Sequence, residues 1–415
     1  MKYIFFLLLG FVICVNLFFL HKNYVAGNFL EENITGDASH YLEIAKNLKS
    51  FGVYSDNNSS VPTESATWRP PFYPFLLSVF LFISDNVFIL ILLKVLFQVL
   101  LVFLGCYYLY INKVFSKSIF AVGCIVLIEP YYLKYSYSLL SESISASLLF
   151  LFFCFFLISI IKEKYFFLTG FMGFLSVINH PVVVFFIFIL LFIVFVKMFL
   201  MNKFSAIWFA VFFLLLILIW PVRNYFVFNK GLFLTASQGS TFSKGWNEKV
   251  VYEFNNVDGD LADEGLNLKY LGSDINPSSY SVLDLSKLYK SATVEFIKIN
   301  GWVGNVSIAK RKIISNFIPF PEKPKEGLIE LSASIFRCLY LLFGVYAIFN
   351  LIFFKFKEYI LFSVYLAVYF SQTLMSIFIY TGLRFNSVYN LVLFFVIALY
   401  FYSLYRSERN LSFKF

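Results

Sequence analysis

A carboxylate and a guanidinium both lie in the first hydrophilic stretch of the chain. Asp37 opens the run Gly36-Asp37-Ala38-Ser39-His40-Tyr41, and further on Tyr41, Ile44, Ala45 and Leu48 fall on one helical face. Arg69 lies in Thr67-Trp68-Arg69-Pro70-Pro71-Phe72-Tyr73-Pro74, where the prolines bar a regular helix and hold the backbone extended. A placed carboxylate can take the proton of an attacking hydroxyl. A guanidinium fork suits phosphate. Each residue also has a plainer reading: Asp37 as an N-cap accepting backbone N–H bonds, and Arg69 with Trp68 as an anchor at a membrane interface.

Further candidates sit at the ends of apolar runs. Leu140-Ser141-Glu142 heads one run, Trp220-Pro221-Val222-Arg223-Asn224-Tyr225 closes another, and Gly382-Leu383-Arg384-Phe385 precedes the last. Glu142 reads equally as a site acid or as a charge complementing a helix N-terminus, and Glu129 before Pro130 is similar. His180, before Pro181, is a helix-end histidine or a site residue. His40, one turn from Asp37, either orients it or is a surface histidine. Lys94, inside a run, reads most simply as snorkelling to the headgroups.

The elements that must position these residues are membrane helices. Of 415 residues, 60% are hydrophobic and 14% charged, with 58 Phe and 28 Tyr; the mean hydropathy is +0.79. A soluble domain is nearer half apolar and a quarter charged. The net charge of +9 does not indicate nucleic acid, because Lys and Arg occur in short pairs between apolar runs rather than on one basic face. Cys14, Cys106, Cys124, Cys154 and Cys338 all lie in apolar runs without metal-ligand spacing, so neither a disulfide framework nor a cysteine metal site is expected.

Apolar runs at Tyr3 to Leu20 and at roughly 87–111, 118–136, 141–161, 165–179, 182–200, 204–221, 332–354, 359–380 and 388–405 predict an all-α polytopic membrane protein of about ten transmembrane helices. The first run lacks a small-residue cleavage site and reads as an uncleaved anchor. The chain divides into an N-terminal membrane module, 1–221, a large external loop, 222–331, and C-terminal membrane helices, 332–415. The module includes a first external loop, 21–71, and a re-entrant helix, 72–84, that is too short to span. In the large loop, Asn276-Pro277-Ser278-Ser279 marks a Ser-capped helix start, Tyr280 to Ile299 has helical spacing, and Gly301-Trp302 breaks it. The basic stretch Val303 to Phe317, with Lys310-Arg311-Lys312, suits a helix on the membrane surface. With the N-terminus inside, Lys113, Lys117, Lys162, Lys164, Lys197, Lys203, Lys355, Lys357, Arg406, Arg409 and Lys414 all become cytoplasmic, as the positive-inside rule requires. Both termini are then cytoplasmic and both large loops external, with a bacterial inner membrane the expected location.

The order Gly-Asp-x-x-x-Tyr-x-x-x-Ala, Gly52-Val53-Tyr54 and Arg-Pro-Pro-x-Tyr-Pro resembles the GT-C glycosyltransferases. Within that superfamily it is similar to the branch of protein O-mannosyltransferases and lipid A aminoarabinose transferases. Leu140-Ser141-Glu142, Trp220-Pro221-Val222-Arg223 and Gly382-Leu383-Arg384-Phe385 add to the likeness. The resemblance implies a hexosyl- or pentosyltransferase that moves a sugar from a polyprenyl-phosphate donor to an external glycan, lipid or protein acceptor, with inversion. It makes Asp37 the catalytic base. Arg69, Arg223 and Arg384 become donor-phosphate ligands, because the growing charge of a leaving phosphate needs a cation. His40, Tyr41, Glu142 and His180 would line the site. Many relatives carry a second acid after the Asp. Ala38 stands there instead, so no cofactor is expected, although a divalent metal is compatible. The chain also lacks the soluble C-terminal domain of some relatives, which leaves acceptor recognition to the loop 222–330. The competing readings are a polymerase or ligase of lipid-linked polysaccharide, relying on Arg223 and Arg384 more than on Asp37, and a transporter or lipid flippase. The absence of an internal repeat and the grouping of polar residues at span ends argue against transport.

Overall fold

The computed structural model describes residues 36–252, 263–272, 275–317, 328–353, 359–380 and 382–407, with positions 10, 14, 15 and 18. Every regular element among them is a helix. Apart from those four positions, the expected span Tyr3 to Leu20 falls outside the described residues, as do Lys355, Lys357, Arg409 and Lys414.

Seven helical segments among the described residues are long and apolar enough to cross a membrane: Val87–Ile111, Glu142–Lys162, Pro181–Met201, Lys203–Phe228, Leu331–Phe349, Ile360–Phe378 and Arg384–Phe401. The chain is therefore a helical polytopic membrane protein. Its helices are numbered α1 (Gly36–Phe51), α2 (Phe72–Leu81), α3 (Val87–Ile111), α4 (Ile119–Val126), α5 (Pro130–Ser136), α6 (Glu142–Lys162), α7 (Phe166–Asn179), α8 (Val184–Met201), α9 (Lys203–Phe228), α10 (Gln238–Gly245), α11 (Lys249–Tyr252), α12 (Val282–Phe317), α13 (Leu328–Phe353), α14 (Tyr359–Phe378), α15 (Leu383–Asn386) and α16 (Asn390–Ser407).

Helix α6 is the centre of the bundle. In its span window 89% of the residues are buried, against 28% for the outlying α9. A helix that is apolar all round belongs in the interior. Its serines face polar partners in that interior. Ser143 Oγ accepts from Gln98, Ser145 Oγ accepts from Asn179, and Ser147 Oγ pairs with the Tyr132 hydroxyl.

Three expected spans differ from the sequence reading. The run 118–136 is two helices, α4 and α5, bent by 67°. Pro130 at the first position of α5 has no N–H to continue α4, and the Glu129 carboxylate caps the new helix by accepting from Tyr132 N at 2.7 Å. Helix α7 has 14 residues, about 21 Å at the helical rise, short of a hydrocarbon core. Helix α9 does not stop at Pro221 but runs through it to Phe228. Pro221 lies inside the helix, so the carbonyl of Ile217 loses its N–H partner there. The stretch 72–84 forms the short apolar helix α2, whose 10 residues bury Tyr73, Leu76, Leu77, Phe80 and Leu81.

The helix ends sort by charge. Lys197 Nζ donates to Ile160 O at 2.8 Å and pairs with Glu163 at 3.1 Å, so the lysine-bearing ends of α6 and α8 meet. Asp37, Glu142 and Arg384 meet at the opposite end.

In the large loop, Asn276 rather than a serine accepts from Ser278 N, and α12 begins at Val282. Gly301 kinks α12 with φ 67° and ψ 178°. A Cβ costs more there than glycine's hydrogen, which explains the residue chosen for the break. Within the stretch expected on the membrane surface, Trp302 is exposed but Lys312 is fully buried. The Lys312 ammonium lies 4.4 Å from the Trp246 ring centroid and donates to Ile377 O at 3.1 Å. Trp246 Nε1 donates to the same carbonyl at 2.8 Å. The loop is thereby pinned to the end of α14, just before Arg384.

Candidate functional site

Four charged side chains from distant parts of the sequence converge at one end of the bundle. Asp37 stands in the first turn of α1. Its Oδ1 accepts from Arg69 at 2.5 Å and its Oδ2 from Arg384 at 2.8 Å. Arg384 Nε also donates to Glu142 Oε1. The N-cap reading of Asp37 gives way to this geometry, since both carboxylate oxygens are engaged by guanidiniums.

The backbone explains why each group points here. Arg69 follows the short helical turn Ser65–Trp68, takes φ −102° and ψ 140°, and precedes Pro70, which enforces that extended conformation. Its carbonyl accepts from the Tyr54 hydroxyl at 2.9 Å, and the neighbouring Thr67 O accepts from Ala236 N at 2.9 Å. Arg69 is thus held by both loops. Glu142 opens α6, where a carboxylate suits the helix N-terminus. Arg384 lies on α15, and Asn386 on that helix donates to Asn316 Oδ1 of α12 at 3.1 Å. A second link between the loops is Lys230, which bridges Glu64 at 2.9 Å and Asp284 at 2.8 Å.

The Arg69 side chain has a further support. Its Nε donates to His40 Nδ1 at 3.1 Å, and His40 Nε2 lies 2.9 Å from Asp56 Oδ2. With Nδ1 accepting, the proton sits on Nε2 and is donated to Asp56. Thr63 and Ser65 hydroxyls donate to Asp56 Oδ1 at 2.6 and 2.7 Å. His40 therefore orients Arg69, not Asp37 directly. The Arg69 guanidinium also lies 5.2 Å from the Tyr41 ring centroid. The Tyr41 hydroxyl reaches Ser141 Oγ at 3.1 Å, which ties α1 to the start of α6.

Electrostatics follow from these contacts. Burial pushes the Asp37 carboxyl up, but the Arg69 and Arg384 guanidiniums outweigh it and hold the group below the usual carboxylate range. Burial likewise opposes ionisation of Asp56, and the bonds from His40, Thr63 and Ser65 win, lowering it further. The Glu142 side chain is 1% exposed and the Asp37 side chain 32%. Glu142 is a buried counter-ion, whereas Asp37 is open to an incoming molecule.

Of the residues singled out in the sequence, Asp37, His40, Tyr41, Arg69, Glu142 and Arg384 are brought together. His180 is adjacent, its ring 5.5 Å from that of Phe385. Arg223 stands beside the cluster without an ion pair to it, over Tyr54, whose hydroxyl donates to Arg69 O. The Arg223 guanidinium lies 5.7, 5.1 and 5.5 Å from the ring centroids of Tyr54, Trp220 and Phe228. The helical continuation past Pro221 turns it into this aromatic box. Lys94 is also corrected. It is fully buried and donates to Tyr135 O at 2.8 Å and Ser138 O at 2.6 Å, so it does not snorkel. Those contacts neutralise carbonyls left open where α5 ends.

Sequence reasoning missed Asp56 and Asn179. Asp56 could have been suspected from the run Ser55-Asp56-Asn57-Asn58 with Thr63 and Ser65 beyond, but nothing in the spacing ties it to His40. Among the described residues, no group of three or more His, Cys, Asp or Glu side chains is placed to hold a metal ion. No family model, curated protein or solved structure matches the chain.

Proposed function

We propose that the chain is an integral membrane glycosyltransferase that moves a sugar from a polyprenyl-phosphate donor to an external acceptor, with inversion and with Asp37 as general base. One observation carries the reading: Asp37, partly open to solvent, is gripped by two guanidiniums at one membrane face. Charged groups at such depth are costly and mark functional sites.

In this reading Arg69 and Arg384 serve two partners in turn. Without donor they pair with Asp37, whose basicity is low. The donor phosphate draws the guanidiniums to itself through charge-assisted bonds. Asp37 is then released from its ion pairs, its proton affinity rises, and it accepts the proton of the attacking hydroxyl. The same cations stabilise the charge that grows on the leaving phosphate. Glu142 keeps Arg384 in place during the exchange, and the His40–Asp56 pair does the same for Arg69.

The polymerase or ligase reading drew on Arg223 and Arg384 apart from Asp37. Arg384 is paired with Asp37, so only Arg223 separates the two readings. The test is single-turnover transfer by purified protein in nanodiscs with a panel of radiolabelled polyprenyl-phosphate sugars. Transfer that survives Asp37→Asn but is lost in Arg223→Ala favours the polymerase or ligase.

A further inference from the structure

Beside the ion-paired cluster, three buried side chains each keep a polar atom with no hydrogen-bond partner among the described residues: Glu142 Oε2, Asn179 Oδ1 and His180 Nδ1. The residues are 1%, 0% and 9% exposed. Buried polar atoms are normally paired, and exceptions call for an explanation.

The three share one wall. Asn179 Nδ2 donates to Ser145 Oγ at 2.5 Å and to Ser141 O at 3.4 Å, which sets Asn179 against the first turn of α6, where Glu142 stands. A backbone carbonyl requires a donor, so the amide nitrogen faces Ser141 and the oxygen is the free atom. The His180 ring lies against Phe385, and Arg384, the residue before it, holds Glu142 through the other carboxylate oxygen.

The chemistry of the free atoms is uniform. A carboxylate oxygen and an amide oxygen accept hydrogen bonds, and His180 Nδ1 accepts when the proton is on Nε2. Glu142, the one charged side chain of this wall, is already paired with Arg384, so the wall offers no unpaired charge to draw an ammonium group. The fitting ligand is neutral, rigid and rich in hydroxyl donors. Phe385 adds an aromatic surface beside those acceptors.

We infer that Glu142, Asn179 and His180 form a hydroxyl-accepting subsite that takes the sugar ring of the lipid-linked donor. The inference rests on the transferase reading and gives it a division of labour. Arg69 and Arg384 hold the phosphate, Asp37 serves the acceptor, and this wall reads the sugar.

The test is equilibrium binding to the full chain in nanodiscs. The probes are a bare polyprenyl phosphate, the same lipid phosphate carrying glucose, galactose, mannose or arabinose, and deoxy versions of the best binder. Wild type is expected to bind at least one sugar-bearing lipid roughly tenfold more tightly than the bare lipid, the scale of one or two hydrogen bonds. Asn179→Leu and His180→Phe are expected to erase most of that increment and to change bare-lipid binding far less. Removing single hydroxyls from the sugar should lower affinity in wild type but not in these variants. Bare-lipid binding retained by Asn179→Leu and His180→Phe guards against reading a folding defect as a binding defect. Equal binding of bare and sugar-bearing lipids by wild type would overturn the subsite and leave the transferase reading to the transfer assay. An increment that survives in Asn179→Leu and His180→Phe would overturn it too. Binding of none of the lipids would overturn both.

Discussion

Replacing Arg384 by methionine should destabilise the protein chiefly through Glu142. The Glu142 side chain is 1% exposed, one of its oxygens is held by Arg384, and the other has no partner among the described residues. Removing the guanidinium strands a buried charge, at a cost on the order of 3–5 kcal/mol. Asp37 contributes little to this loss. Its side chain is 32% exposed and it keeps Arg69, so losing one of its two pairs costs under about 1 kcal/mol. Adding Glu142→Gln to Arg384→Met removes the stranded charge and leaves a hydrogen-bonding defect of about 1–3 kcal/mol. The double variant is therefore expected to be more stable than Arg384→Met by about 2 kcal/mol, a sign opposite to simple additivity. Unfolding in mixed micelles, followed by tryptophan fluorescence and circular dichroism, measures the difference. A double variant as unstable as Arg384→Met, or less stable, would show that the buried carboxylate is not what Arg384 supports.

Other expectations concern the parts that hold the cluster. A Cβ on Gly245 would sit 1.6 Å from Ile379 O, so Gly245→Ala should lift the large loop from α14 and speed limited proteolysis of the loop; Gly231, with nothing within 4 Å, is the tolerated control. The chain has only three histidines, His21, His40 and His180, so labelled-histidine spectra are tractable. His40 should carry its proton on Nε2, and Asp56→Asn should shift it towards Nδ1 and weaken the grip on Arg69. The Asp56 carboxyl is depressed in the folded protein, so its stabilisation is present above the ordinary carboxylate value of about 3.9 and is lost as pH falls through the lower folded value. The stability gap between wild type and Asp56→Asn should thus close in strong acid. Lys94→Met leaves Tyr135 O and Ser138 O without their ammonium and should cost on the order of 1–3 kcal/mol in the same unfolding assay.

The membrane class was legible from composition and run length alone, because apolar surface on this scale has no other place to go. The site was partly legible for a similar reason. Asp37, Arg69, Glu142 and Arg384 are charges beside long apolar runs, where a charge without a purpose is too costly to keep. The details that failed depend on local geometry. Pro221 reads as a helix end, yet α9 passes through it and carries Arg223 against the rings of Tyr54, Trp220 and Phe228. Lys94 reads as a snorkel because spacing does not say which way a side chain faces, and the end of α5 presents it with carbonyls instead. Asp56 and Asn179 act through partners 16 and 34 residues away, and no periodicity encodes such pairings.

The central claim is that Asp37 accepts a proton once a donor phosphate has taken over its guanidiniums. Single-turnover sugar transfer by wild type and Asp37→Asn in nanodiscs, with donor binding measured on the same samples, tests it most directly. The account predicts that Asp37→Asn binds the donor at least as tightly as wild type, since the carboxylate no longer competes for Arg69 and Arg384. It also predicts that transfer falls by roughly 10²–10⁴-fold, the range for loss of a general base. Transfer at the wild-type rate by Asp37→Asn would contradict it.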